Sequence, residues 1–198
     1  MEDDEALVAA LEAQPVETTP TLAPKSDIDL ISIATSNIQR GRNGCLETAL
    51  RALDIMGLDL ALLKETKLTN GIHTKYSSDY NNLLATSAAS HRQGGVALVH
   101  KDLPYWQVES VVYHHSNVIS AEIVMGEQRC LLVGIYIPPD DLTTLEHVER
   151  TLHLYQHQGD LIVVGDLSVN LSTAEGMRDI AIATVLAVHG LLDMHQHF

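Results

Sequence analysis

Apolar and polar positions along the chain divide it into a first stretch without sustained periodicity and a longer one of short alternating patterns. Within residues 1–25 only Ala6, Leu7, Ala10 and Leu11 have helix-like spacing, and Pro15, Pro20 and Pro24 punctuate the remainder. This stretch reads as an acidic, Pro/Thr-containing flexible tail, with residues 26–198 as the folded domain. Ile28, Leu30, Ile31 and Ile33 predict a first strand that ends at Ser36-Asn37. Leu46, Leu50, Leu53 and Ile55-Met56 recur near every 3.6 residues and predict a helix from Gly44 to Met56. The compact apolar run Leu58–Leu63 has the length of a buried strand and leads into Glu65, after which a polar loop is expected from Thr66 to Asn82.

Five strand candidates come next: Leu83–Thr86, Gly95–His100, Val108–Tyr113, Val118–Met125 and Arg129–Ile137, with Gly126-Glu127-Gln128 as a hairpin turn. Pro138-Pro139 must end the ladder, since neither residue has an N–H to donate. Helices are expected over Leu142–Gln158 and Ala174–His189, separated by a buried strand Leu161–Val164 that lands on Gly165-Asp166. Strands and helices in this order predict an α/β fold with mixed sheets.

Composition narrows the function classes. The 198 residues are 45% hydrophobic, enough for one domain with a core and too apolar for global disorder. No run approaches the ~20 apolar residues of a membrane span. The acidic start Met1-Glu2-Asp3-Asp4-Glu5 is unlike a secretory or mitochondrial leader, so an intracellular protein, nuclear or cytoplasmic, is expected. Cys45 and Cys130 lack CxxC spacing and lie in apolar surroundings, which reads as two buried free thiols. The net charge of −14 gives weak long-range attraction to a polyanion.

Candidate chemistry lies at three strand ends, where Asn37, Glu65 and Asp166 stand. Side chains there converge on one edge of an α/β sheet, and two carboxylates with an amide suit a hard cation such as Mg²⁺. Polar loops account for acids at strand ends equally well, so spacing alone does not choose. His153 and His157 lie four apart on a predicted helix, but residue 154 is Leu and no HExxH pattern exists; a solvated helix face is expected. His114-His115 reads as an exposed connection between strands. Gly94-Gly95, lacking GxGxxG context, reads as close backbone packing or a bulge.

Five local sequences occur in order: Ser36-Asn37-Ile38-Gln39, Leu62-Leu63-Lys64-Glu65-Thr66-Lys67-Leu68, Gly94-Gly95-Val96-Ala97-Leu98, Gly134-Ile135-Tyr136-Ile137-Pro138-Pro139 and Val163-Val164-Gly165-Asp166-Leu167. Together, over residues 28–198, they resemble the endonuclease/exonuclease/phosphatase superfamily. The final segment, Gly190 to Phe198, looks most like the endonuclease domains of non-LTR retrotransposons. The resemblance implies a four-layer, DNase-like fold, a two-sheet mixed β-sandwich flanked by helices. It implies Glu65 as a ligand of Mg²⁺ (or Mn²⁺), with Asn37 supporting the same metal and phosphate site. It further implies that Tyr136 donates its hydroxyl beside the scissile phosphate and Asp166 orients or deprotonates the attacking water. Lys67 would add a positive contact.

Two departures stand out. The family pattern Gly-Asp-(Leu/Phe/Met)-Asn has Ser168 at its last position; Ser168 and Asn170 are weaker site candidates. The family also ends with further strands and a Ser-Asp-His motif. This chain stops at Phe198 before that point, and His195 and His197 precede the motif's position. An incomplete second sheet is therefore expected, and the chain reads as a fragment, a decayed element or an incomplete gene model. The leading expectation is metal-dependent phosphodiester hydrolysis, that of a DNA endonuclease of retrotransposon origin, whose activity the truncation puts in question. The alternatives are a phosphatase acting on small phosphoesters and a non-catalytic remnant or binding module. DNA is the expected partner and oligomeric state is left open.

Overall fold

The computed structural model describes residues 31–39, 44–69, 71, 73–74, 80–90, 92–156, 159–173 and 175–193, all within the unit Ile31–Phe198. Among these residues, nine strands and three α-helices build two mixed sheets and their flanks. The strands are β1 (Ile33–Asn37), β2 (Leu60–Lys64), β3 (His73–Thr74), β4 (Tyr80–Ala85), β5 (Val96–Lys101), β6 (Gln107–His115), β7 (Val118–Met125), β8 (Gln128–Tyr136) and β9 (Asp160–Asp166). The helices are α1 (Cys45–Ile55), α2 (Thr143–Tyr155) and α3 (Met177–Val188), with a 3₁₀ turn at Leu171–Thr173. The first sheet runs β1-β2-β5-β4-β3 and the second β6-β7-β8-β9. Of the described strand pairs, only β1–β2 and β8–β9 are parallel.

Side-chain alternation makes four layers from these sheets. In β2, Ala61 and Leu63 face α1, whose Leu46, Leu50 and Leu53 form one stripe at helical spacing. Leu60 and Leu62, on the opposite phase, join Ile119, Ile123 and Leu132 between the sheets. The outer face of the second sheet, with Val133, Ile135 and Ile137, packs on Val148 and Leu152 of α2 and Ile182 of α3. The sheets come into close contact at Gly134: a Cβ there would overlap Leu62 Cδ1 and come within 3.0 Å of Ile119 Cγ2. α1 and α3 end alike, with Gly57 and Gly190 at positive φ (68° and 67°). The following N–H of Leu58 and Leu191 bonds back to Leu53 and Leu186, satisfying carbonyls the helix leaves open.

Several boundaries differ from the sequence expectation. β1 starts at Ile33, because Ser32 gives its N–H and hydroxyl to Asp59 (2.9 and 2.7 Å); Ile28 and Leu30 lie outside the described residues. The expected polar loop 66–82 contains β3, whose backbone pairs with β4, and the start of β4, whose backbone pairs with β5. His114 and His115 are not in a connection: they end β6 and are half-buried, with the His115 ring stacked on His147 (centroids 4.3 Å apart). Cys45 is exposed at the start of α1, off its buried stripe, and Cys130 is half-buried on the inner face of β8, so neither is a fully buried thiol. β9 runs on through Gly165 to Asp166, and α3 begins at Met177 after extended backbone at Gly176. His153 is exposed as expected, while His157, His195 and His197 lie outside the described residues. Among the described residues no helix is long and apolar enough to cross a membrane, and no further strand pairs with β9.

The contact between the sheets gives a direct test. Gly134→Ala should destabilise the fold by about 1–3 kcal/mol through overpacking. Combined with Leu62→Ala, which vacates that space, its effect should shrink well below the sum of the single changes. Urea unfolding of the two single variants and the double variant checks this; strict additivity would refute the contact.

Candidate active site

Strand phase and strand ends gather the polar residues. Asn37 ends β1 and pairs in register with Lys64, the last residue of β2; Tyr136 ends β8 and pairs with Asp166, the last residue of β9. Tyr136 and Asp166 share the phase of Leu132 and Val164, and Lys64 that of Leu60 and Leu62, so all three point toward the space between the sheets. The polar cluster therefore closes one rim of the inter-sheet core.

Glu65 is the acceptor at its centre. Its Oε1 receives Asn37 Nδ2 at 2.8 Å and the Tyr136 hydroxyl at 3.0 Å, and Lys67 Nζ lies 3.4 Å from Oε2. Partial burial pushes the Glu65 carboxyl up, but these donors outweigh it and hold it below its ordinary value. Burial, the bond to Glu65 and the charges of Glu65 and Asp166 push the Tyr136 phenol up to about 12. Tyr136 is thus a donor at neutral pH. Asp166 is equally engaged: Oδ2 accepts Lys64 Nζ at 2.8 Å, and Oδ1 accepts the Ser168 N–H at 2.8 Å and its hydroxyl at 3.4 Å. Its carboxyl too is raised by burial and lowered further by Lys64 and Ser168, to a net value below the ordinary one.

Three solved structures share this architecture. The endonuclease domain of TRAS1, a telomere-specific non-LTR retrotransposon, aligns with a TM-score of 0.59 at 16% identity, over 81% of this chain and 71% of that one. An AP endonuclease from Archaeoglobus fulgidus gives 0.62 at 17% identity, over 85% and 74%. An endonuclease/exonuclease/phosphatase family protein from Leptotrichia buccalis C-1013-b gives 0.52 at 11%, over 84% and 75%. The chain has the fold of the endonuclease/exonuclease/phosphatase superfamily. No family model and no curated protein matches its sequence.

Within this superfamily fold, the residues singled out from sequence form two adjoining clusters. Asn37, Glu65, Lys67 and Tyr136 make one; Asp166 and Ser168 make the other, and Ser168 contributes mainly its backbone N–H. Asn170 is exposed in the loop beyond, where its carbonyl accepts the Thr173 N–H. Of the five described non-glycine residues with positive φ, four lie in these segments: Gln39, Glu65, Lys67 and Ser168. Such backbone is held only where surrounding bonds over-determine it. Here Thr66 and Lys67 donate to Gly95 and Gly94, while Gly95 donates to the buried Asn117 Oδ1 (2.9 Å). Asn117 also accepts the Tyr136 N–H on its carbonyl and donates Nδ2 to Thr144 Oγ1. The Gly-Gly pair is thus a point of close approach, since a Cβ at Gly95 would overlap Thr66 Oγ1.

Three residues escaped the reading of the sequence: Lys64, Asn117 and Arg178. Arg178, in the first turn of α3, donates Nη1 to the Ser168 carbonyl (2.9 Å) and Nη2 to those of Leu167 (3.1 Å), Pro138 (3.2 Å) and Ile137 (3.4 Å). It joins the two segments that follow Tyr136 and Asp166. An arginine near a helix start carries no motif; for Lys64 the available signal was a lysine on the inward phase of an apolar strand.

Arg178→Met should leave several carbonyls without their charged donor and destabilise the protein by roughly 2–3 kcal/mol. Thermal unfolding, with faster amide exchange over residues 166–171, would register the change, and an unaltered exchange pattern would count against the clamp. The two lowered carboxyls also set an acid limb. The unfolded chain binds more protons from about pH 5 downward, so this stability is complete above about pH 5 and is lost as pH falls through the folded values. The double variant Glu65→Gln/Asp166→Asn should therefore show a flatter fall in unfolding free energy below pH 4 than the unaltered chain, measured by urea titration.

Proposed function

We propose that the chain is a metal-dependent phosphodiesterase, a DNA endonuclease of the retrotransposon type. The observation that carries this reading is the meeting of Asn37, Glu65 and Tyr136 with Lys64 and Asp166 at one rim of the sandwich. The names of two fold relatives, both endonucleases, support it.

The donor set suits Mg²⁺ or Mn²⁺. Among the described residues no cluster of three or more His, Cys, Asp or Glu side chains exists, so the protein would offer one or two carboxylates, as Mg²⁺ sites built on substrate phosphates do. Glu65 would hold the ion: its Oε2 has only the longer Lys67 contact, while Oε1 is fixed by Asn37 and Tyr136. When bound, the cation neutralises charge growing on the phosphate oxygens. Tyr136, protonated at neutral pH, would offer its hydroxyl beside the phosphate. A carboxyl held below its ordinary range is a weak base, which suits Asp166 to orienting the attacking water more than to deprotonating it. Ser168 keeps the Asp166 plane fixed, and Lys67 adds positive charge.

The net charge of −14 favours a second reading, a phosphatase of the same fold acting on small phosphoesters. Supercoiled plasmid with Mg²⁺ separates the two. Nicking is expected, with Glu65→Ala and Asp166→Ala each lowering it at least about 100-fold. Nicking by both variants at the rate of the unaltered chain would sink the site. Absence of nicking, with phosphate released from an inositol phosphate, would transfer the assignment to the phosphatase reading.

A further inference from the structure

Lys64 is an unusual residue for its place. It ends β2 on the same phase as Leu60 and Leu62, its side chain is 11% exposed, and its ammonium spans the gap between the sheets to Asp166 Oδ2 at 2.8 Å, 102 residues away in sequence. An ammonium in such surroundings is tolerated only with a close counter-charge. Asp166, a third exposed, stands at the inner end of β9 beside Tyr136, within reach of that ammonium. With Oδ1 taken by Ser168 and Oδ2 by Lys64, the carboxylate plane has one orientation. The other lysine is different in kind: Lys67 lies 3.4 Å from Glu65, a longer contact that an incoming cation can displace.

We infer that Lys64 is a positioning residue for hydrolysis: its charge-assisted bond across the two sheets aims Asp166 at the attacking water. The inference rests on the phosphodiesterase reading of the site. Lys64 acts through Asp166 and does not touch the phosphate, so it bears on turnover and leaves DNA binding almost alone. Its fixed positive charge also offsets repulsion between Asp166 and an approaching phosphodiester, which a neutral side chain on the same phase would not do.

Steady-state nicking by the full chain with Mg²⁺, for Lys64→Met, Lys64→Gln and Lys64→Arg, tests this, with circular dichroism fixing the folded fraction of each. Lys64→Met is expected to lower kcat roughly 100-fold with KM moved less than about threefold. Lys64→Arg, which keeps charge and donors, is expected to recover about tenfold of that loss. Should Lys64→Met not fold, Lys64→Gln, which removes the charge and keeps a donor, is read the same way. A kcat unchanged in the uncharged variant, a loss confined to KM, or an arginine variant no better than the uncharged one would each overturn the inference. No cleavage by the unaltered chain is a distinguishable outcome: the phosphodiesterase reading itself falls, and the role of Lys64 with it.

Discussion

Two sheets held face to face form the constraint on which the rest of this molecule depends. Leu60 and Leu62 of the first sheet and Ile119, Ile123 and Leu132 of the second bury one another completely or nearly so. Gly134 lets the sheets come close enough for that contact. Fully buried aliphatic side chains of this size each contribute about 1.5–3 kcal/mol, so this layer outweighs any single polar bond in the molecule. Because the layer fixes separation and register, the ends of β1, β2, β8 and β9 arrive at one rim. Two bonds of the candidate site, Tyr136 to Glu65 and Lys64 to Asp166, span elements that only this packing brings together.

At that rim the apolar layer gives way to charge, and the charges are balanced in pairs. Lys64 answers Asp166, and Lys67 answers Glu65. The carboxylates remain ionised near neutrality because donors surround them and outweigh the partial burial that opposes ionisation. The bonds between these groups hold the acceptors and donors of the rim in fixed positions before anything binds. The overall acidity of the chain is a separate property, and it governs the approach of a polyanion more than the chemistry at the rim.

Support for the rim comes from groups that do not face it. Asp141 accepts the Thr143 and Thr144 N–H groups at the start of α2 and the Thr144 hydroxyl. Thr144 then meets Asn117, Asn117 holds Gly95, and the carbonyls of Gly95 and Gly94 accept the N–H groups of Thr66 and Lys67, between the left-handed Glu65 and Lys67. Arg178 of α3 ties the segments after β8 and β9. The strained residues Glu65, Lys67 and Ser168 are thus braced through groups on α3 and at the start of α2, the two helices on the outer face of the second sheet. Local backbone preference would not select these conformations.

Much of this was legible in the chain before any coordinates. Periodicity marked α1, β2, β7, β8 and the two later helices, because burial on one face or both leaves a direct trace in residue order. Five short motifs in register singled out Asn37, Glu65, Tyr136 and Asp166, since strand ends and the residues on them are local features. The missing pieces were non-local. β3 and the start of β4 are polar in sequence and owe their strand character to their partners, β4 for β3 and β5 for β4. His114 and His115 join β6 through pairing with β7, and His115 is covered by His147 of α2. The bond from Lys64 to Asp166 and the carbonyl clamp of Arg178 depend on distances between segments far apart in sequence. The sequence by itself determined the periodic strands and helices and which acids stand at their ends. Only the tertiary structure decided which partner each charge meets, because the docking of the sheets, more than any spacing along the chain, sets those distances.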